Sequence, residues 1–233
     1  IFSLFFRLVI TLCYFFFLPY QDFIIFCSFS SILIGVFGAF FQRKIKRFLV
    51  YSSISHFGFI FLGISSNSIE GVFSSLFYIL IYILTMIVVF SLLLTIRLKK
   101  TAQKVKFLSD LSSLFQTHGF LAVCFLVIFF SMGGVPPFSG FFSKFFIFFS
   151  SFNNDLFLVS FFSILLGGLG AFYYIRMVKI MFFETNNLNF IFTHFKKENS
   201  VVASFFSFFL TFFLLFPNLI IVLVYNNFLS LFL

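Results

Sequence analysis

Residues 118–150 read HGFLAVCFLVIFFSMGGVPPFSGFFSKFFIFFS, an apolar run of 33 residues. A helix of about 20 residues crosses the hydrocarbon layer of a membrane, so this run is too long for one straight crossing. Gly133-Gly134-Val135-Pro136-Pro137 divides it in the middle, and proline removes a backbone donor and clashes with the preceding turn. The sequence therefore predicts a broken helix. The break is either a plain kink or hairpin, or a discontinuous helix at a transport site.

The overall composition excludes a soluble globular fold. Apolar residues make up 62% of the 233 and charged residues only 9%, whereas a soluble domain carries about 25% charged residues. Six further apolar runs, the first two separated by Pro19, lie at about 1–18, 23–41, 48–66, 71–96, 156–183 and 200–225. Their continuity favours helices over alternating transmembrane strands. We expect an all-α polytopic membrane protein with about seven transmembrane helices, forming a single transmembrane domain over residues 1–233.

The basic residues are distributed unevenly among the loops. If the broken run counts as one crossing, one side of the membrane receives 13 of the 15 basic residues. These are Arg43, Lys44, Lys46, Arg47, Arg97, Lys99, Lys100, Lys104, Lys106, Arg176, Lys179, Lys196 and Lys197. The other side has Asp22, Glu70 and Asp155 and no Lys or Arg. By the positive-inside rule, the run crosses once and the basic loops face the cytoplasm or matrix. The net charge of +9 then reflects topology, and no nucleic-acid partner is expected.

Lys144 and Arg7 are the two basic residues that are not assigned to the basic side, where Arg176 and Lys179 lie near the end of the 156–183 run. Lys144 lies seven residues after Pro137, about 10 Å along the second half-helix. A charge at that depth costs roughly 3 kcal/mol and marks a candidate functional site. The alternative is a lysine whose stem extends to the membrane surface. No acid lies within the seven runs, so its partner must be another subunit, water or backbone carbonyls.

His56 is the second candidate for proton transfer. It lies near the middle of the 48–66 run, with Ser52 one turn before it and Ser55 beside it. Histidine changes its charge near neutral pH and can therefore relay protons. The alternative is a buried histidine whose hydrogen bonds are purely structural.

A polar stripe on the 71–96 run adds further candidates. Its members are Ser75, Tyr78, Tyr82 and Thr85, which the helical spacing places on one face. The stripe fits a water-lined path and interhelical hydrogen bonding equally well. The cysteines, Cys13, Cys27 and Cys124, are isolated within apolar runs, so the sequence indicates neither a metal site nor a disulfide framework. The sequence has no Gly-rich phosphate loop, HExxH or GxSxG motif, and spacing alone leaves open only a haem held by two histidines.

Three motifs in order along the chain resemble those of one protein family. Residues 46–59 read KRFLVYSSISHFGF and residues 134–145 read GVPPFSGFFSKF. They are similar to the KRLLAYSSISHxGY and GIPPLxGFxxKF segments of the antiporter-like subunits of respiratory complex I. Tyr173-Tyr174-Ile175-Arg176 resembles the YYYLR of the helix that follows in that family. The lysine at 144 and the proline pair are similar to the chain 2 type, which is subunit N in bacteria.

The resemblance implies the C-terminal half of an antiporter-like two-repeat fold in the membrane arm of NADH:ubiquinone oxidoreductase. Lys144 would be the proton carrier and His56 the relay, in proton translocation coupled to electron transfer. The expected partners are other membrane-arm subunits, membrane lipids and a separately encoded N-terminal half, although the chain could also be a fragment. FMN, iron–sulfur clusters and ubiquinone would belong to other subunits, so this chain itself would carry no redox chemistry.

Two alternatives to this function stay open, and the composition favours one location. The chain could belong to a multisubunit cation/proton antiporter, or it could be a scaffold of the membrane arm that does not pump. Phe accounts for 51 of the 233 residues, a bias that is typical of A+T-rich organellar genomes. We therefore expect a multi-pass protein of the mitochondrial inner membrane, with its basic loops facing the matrix.

Overall fold

The computed structural model describes residues 2–96, 105–112, 114–184, 197–211, 221–222 and 224–226. Over these residues the fold is helical, apart from one isolated β-bridge between Lys44 and Phe107. The α-helices are α1 (Phe2–Phe40), α2 (Ile45–Ser65), α3 (Ile69–Thr95), α4 (Leu114–Thr117), α5 (Gly119–Gly133), α6 (Ser139–Asn153), α7 (Phe157–Phe183) and α8 (Lys197–Thr211). A short 3₁₀-helix spans Leu108–Leu111.

Four helices within the described residues are long and apolar enough to cross a membrane. They are Gln21–Phe40 of α1, Ile45–Ser65, Ile69–Leu94 and Phe157–Phe183. The chain is thus an all-α polytopic membrane protein, as predicted. The predicted count of seven crossings includes the 200–225 run, of which residues 212–220 and 223 lie outside the described residues.

The predicted interruption at Pro19 is wrong, because α1 continues through it from Phe2 to Phe40. A proline inside a helix removes one hydrogen bond and costs about 3 kcal/mol. The residues before Pro19 are strongly apolar, and Tyr20, Gln21 and Asp22 follow it before the next apolar run. Backbone groups inside a membrane must be satisfied internally. Continuing the helix satisfies more of those groups than a loop at this position would.

The broken run connects the two ends of the helix bundle. Near the start of α5, Leu108 N donates to Arg43 O (2.9 Å) and Ile45 N donates to Lys106 O (3.1 Å), so these two basic loops meet at one end. At the end of α6, Asn153 Nδ2 is 3.5 Å from the carboxylate of Glu70. Hence α5 and α6 together run once from the basic end to the acidic end. Each has 15 residues, about 22 Å, which is shorter than the hydrocarbon layer of about 30 Å.

Glycines bring α2 close to α1 and hold the His56 helix in the middle of the bundle. A Cβ on Gly35 would lie 2.5 Å from Ser55 N, and one on Gly58 would lie 2.5 Å from Ile32 Cγ1. Small residues allow membrane helices to approach until their backbones touch. The helix that carries His56 is therefore packed directly against the backbone of α1.

Candidate functional site

His56 is buried between two tyrosines from different helices. Its Nδ1 is hydrogen-bonded to the Tyr78 hydroxyl of α3 (2.6 Å), and its Nε2 is hydrogen-bonded to the Tyr174 hydroxyl of α7 (3.0 Å). A neutral imidazole donates through one nitrogen and accepts through the other. One tyrosine therefore donates to the ring while the other accepts from it, which makes a continuous chain from α3 through α2 to α7.

Tyr174 is a member of this candidate site that the sequence did not assign. It lies 118 residues after His56, so no local periodicity could pair the two. The ring of Tyr174 is itself held by Phe48, at 5.8 Å between ring centroids in an edge-to-face arrangement, and by Phe129 at 6.0 Å. The available signal was the Tyr-Tyr-Ile-Arg motif, which the resemblance identified without giving the tyrosines a role.

Lys144 of α6 reaches back across the helix break and binds the end of α5. Its Nζ donates to Gly133 O at 2.9 Å and to Met132 O at 3.1 Å, the last carbonyls of α5. Helix C-termini carry partial negative charge and carbonyls without helical partners, so they stabilise an ammonium group. Backbone carbonyls are one of the three kinds of partner expected from the absence of acids in the apolar runs. The Phe59 ring adds a cation–π contact at 5.4 Å.

The geometry of the break depends on Gly134. Its φ of +81° is left-handed, and its N–H bonds to Phe130 O and Ser131 O at 3.0 Å each. This closes α5 in the manner of a glycine C-cap. A Cβ at this position would lie 2.9 Å from Cδ and 3.1 Å from Nζ of Lys144. Gly134 thus ends the helix and also leaves space for the lysine.

The other members of the predicted break contribute in different ways. Gly133 supplies the nearer carbonyl to Lys144, whereas Pro136 and Pro137 are exposed on the surface of this chain. The two half-helices meet again beyond the prolines, where Gly140 N donates to Ser131 Oγ (3.3 Å). The break is therefore a compact turn with its polar groups facing inward.

One small cavity joins Lys144 to His56. It is lined by His56, Lys144, Tyr78, Tyr82, Thr85, Ile81, Ser131, Met132, Gly140 and Ser143. The volume open to the centre of a water molecule is about 10 Å³, roughly what one water occupies. The structure thus brings together five of the predicted site residues: Lys144, His56, Tyr78, Tyr82 and Thr85.

The predicted residues Ser52 and Ser55 lie beside this cavity rather than in its wall. Their hydroxyls donate to Leu49 O (2.9 Å) and Ser52 O (2.7 Å) within α2. Ser52 also interacts with the Tyr174 hydroxyl, and Ser55 with that of Tyr173. They extend the hydrogen-bonded network on the α7 side of His56. In the part of the chain that the structure describes, no three His, Cys, Asp or Glu side chains come together.

Comparison with known sequences decides the family. Residues 2–170 match the family described as NADH:quinone oxidoreductase/Mrp antiporter, transmembrane. The chain belongs to this family. It is 37% identical to NADH-ubiquinone oxidoreductase chain 2 of Arabidopsis thaliana over 213 residues, which is 91% of the chain and 42% of that relative. These matches confirm the resemblance found in the three motifs, and they show that the chain spans about 40% of the length of such relatives.

The fold of this family member agrees with two solved structures. A chain of respiratory complex I from Thermus thermophilus gives a TM-score of 0.72 at 23% identity, over 86% of this chain and 44% of that one. A chain of the Mrp complex from Dietzia gives a TM-score of 0.76 at 17% identity, over 91% and 47%. The antiporter-like fold is therefore shared over about half of each larger chain.

Proposed function

We propose that this chain is a membrane-arm subunit of complex I in which Lys144 carries protons and His56 relays them. The observation that carries the proposal is the place of the ammonium group, between the C-terminal carbonyls of a broken helix and a cavity that also contains His56. A lysine that only extended its stem to the surface would have no reason to turn back to these carbonyls. The identity to chain 2 relatives supports complex I over other assemblies of the family.

The proton moves between groups that this chain supplies. In its charged form Lys144 is held by Met132 O and Gly133 O, which use two of its three N–H donors. A water in the cavity can accept the proton from the third donor, and it then lies among the hydroxyls of Tyr78, Tyr82 and Thr85. His56 accepts a proton at one ring nitrogen and releases one from the other. The Tyr174 hydroxyl is the next acceptor along the chain.

The remaining assignments follow from complex I membership and are part of the same proposal. NADH oxidation, FMN, iron–sulfur clusters and ubiquinone reduction belong to other subunits. The neighbours of this chain are membrane lipids, other membrane-arm subunits and the rest of the two-repeat fold. The location is the mitochondrial inner membrane, with the end that carries Arg43, Lys44 and Lys106 in the matrix.

A multisubunit cation/proton antiporter is the second candidate function. The observation in its favour is the fold similarity to a chain of the Mrp complex. The two candidates differ in their partners. Gentle purification of the chain from its native membrane should recover FMN, iron–sulfur clusters and NADH dehydrogenase activity if it belongs to complex I. Recovery of an assembly without flavin or iron–sulfur clusters would instead identify the antiporter.

A further inference from the structure

A hydrogen-bonded cluster of buried and half-buried polar groups joins α3, α6 and the connection between α2 and α3 near the acidic end. Ser74 Oγ and Ser150 Oγ are 3.2 Å apart, and both side chains are buried. Asn154 Nδ2 donates to Ser150 O at 2.6 Å and to Ser68 Oγ at 3.1 Å. Ser66 Oγ lies 3.2 Å from Ser68 Oγ. These five residues, called the serine cluster below, connect the interior of the bundle to its acidic end.

The serine cluster lies on the same helix faces as the Lys144 cavity. On α6, Ser143, Ile147 and Ser150 are spaced by four and three residues, which places them on one face. Ser143 lines the cavity, and Ser150 belongs to the cluster. On α3, Tyr78 of the cavity wall follows Ser74 by one helical turn. The cavity and the cluster are therefore two polar stretches along the same seam between α3 and α6.

Ile147 separates these two polar stretches. Its side chain is fully buried and lies against α2, where a Cβ on Gly63 would meet Ile147 Cγ1 at 3.5 Å and Ser75 Cβ at 3.2 Å. Ser75 is also fully buried. Ile147 therefore closes the seam on the side of α2, where Gly63 and Ser75 leave little other bulk. Beside it, Phe77 of α3 packs edge to face on Phe146 of α6, with 5.4 Å between ring centroids.

We propose that the serine cluster is the proton path from Lys144 to the acidic side and that Ile147 is its dry barrier. This inference rests on the proposed role of Lys144. Six residues of helix separate Lys144 from Ser150, about 9 Å, which a chain of about three hydrogen-bonded waters spans. The serine hydroxyls donate to carbonyls of their own helices, and each keeps lone pairs that accept from water. Glu70, beside Asn153, attracts the positive charge to this end.

The barrier is tested by Ile147→Ala in membrane vesicles that contain the assembled complex. Removal of most of the side chain opens space beside Ser75 and Gly63, which water can fill because polar groups border it. NADH oxidation should continue at the wild-type rate or faster, while the pH gradient that it builds is lost and an imposed gradient decays faster. Ile128→Ala is the matched control, since Ile128 is equally buried in α5 and lines neither the cavity nor the cluster.

Three further variants separate the barrier from the path. Ile147→Leu restores the bulk and should restore the gradient, and Ile147→Val gives a milder opening if Ile147→Ala does not assemble. Adding Ser74→Ala and Ser150→Ala to Ile147→Ala should slow the leak. Vesicles of Ile147→Ala and Ile147→Val that are as tight as those of wild type would overturn the barrier, and a leak unchanged by the serine substitutions would overturn the path. Neither outcome touches the role of Lys144, which is tested separately by its own substitution.

Discussion

Gly134→Ala should disable the site without removing any ionisable group. Gly134 has a φ of +81°, and alanine in a left-handed conformation costs about 1–2 kcal/mol. Its new Cβ would also lie 2.9 Å from Lys144 Cδ, so the lysine side chain must move, and we expect it to lose one of its two carbonyl contacts. A hydrogen bond that involves a charged group contributes about 1.5–3 kcal/mol. Occupancy of the carbonyl-bound position should then fall by about tenfold or more, since each 1.4 kcal/mol is a factor of ten.

The assay is the rate of proton pumping per assembled complex, with assembly measured on native gels. Gly168→Ala is the control, because Gly168 lies in α7 and a Cβ there meets nothing within 4 Å. Alanine in a helix interior is favoured over glycine by about 1 kcal/mol, so the control should assemble and pump normally. If Gly134→Ala pumps at the wild-type rate, Lys144 does not need its position on the α5 carbonyls, and the account of the break is refuted.

Three other predictions concern the relay, its partner and the topology. His56→Ala should reduce pumping less than loss of Lys144 does, because water can replace a relay but not a charge carrier. If His56→Ala reduced pumping as much or more, His56 rather than Lys144 would be the essential group. Tyr174→Phe should slow pumping more than Tyr51→Phe does. The substitution leaves one nitrogen of the buried His56 without its 3.0 Å partner, which costs about 1–3 kcal/mol. Equal pumping rates in the two variants would remove Tyr174 from the proton path. Cysteines at Gln42 and Asn153 should react with an impermeant label from opposite sides of the membrane, and labelling from the same side would contradict the single crossing of α5 and α6.

The sequence predicted those parts of the structure that depend on neighbours along the chain. Long apolar runs placed α2, α3 and α7 to within a few residues, and Gly133 to Pro137 lies where α5 stops. The loop charges indicated one crossing for the broken run, and the meeting of Arg43 with Leu108 at the basic end agrees with it. The polar stripe placed Tyr78, Tyr82 and Thr85 on one face, where they line one cavity.

The sequence could not predict features that arise from contacts between distant segments. Tyr174 meets His56 only because α2 and α7 pack together, and no spacing along the chain encodes that packing. The carbonyls that hold Lys144 belong to the backbone, which has no sequence signature apart from the glycine that ends α5. At Pro19 a local rule gave the wrong result, because the helix loses one hydrogen bond there and keeps its other backbone groups paired.

The most direct test of the central role of Lys144 is the number of protons pumped per electron in the Lys144→Met complex. Methionine keeps the bulk of the stem and removes only the ionisable group, so the complex should assemble. The ratio should fall, or electron transfer tightly coupled to it should slow, and Lys144→Arg should also impair because arginine does not release its proton in this pH range. Lys179→Met, at an exposed lysine of α7, should leave the ratio unchanged. A Lys144→Met complex that assembles and pumps the wild-type number of protons per electron at the wild-type rate would show that the lysine is a bystander and that the chain is a scaffold.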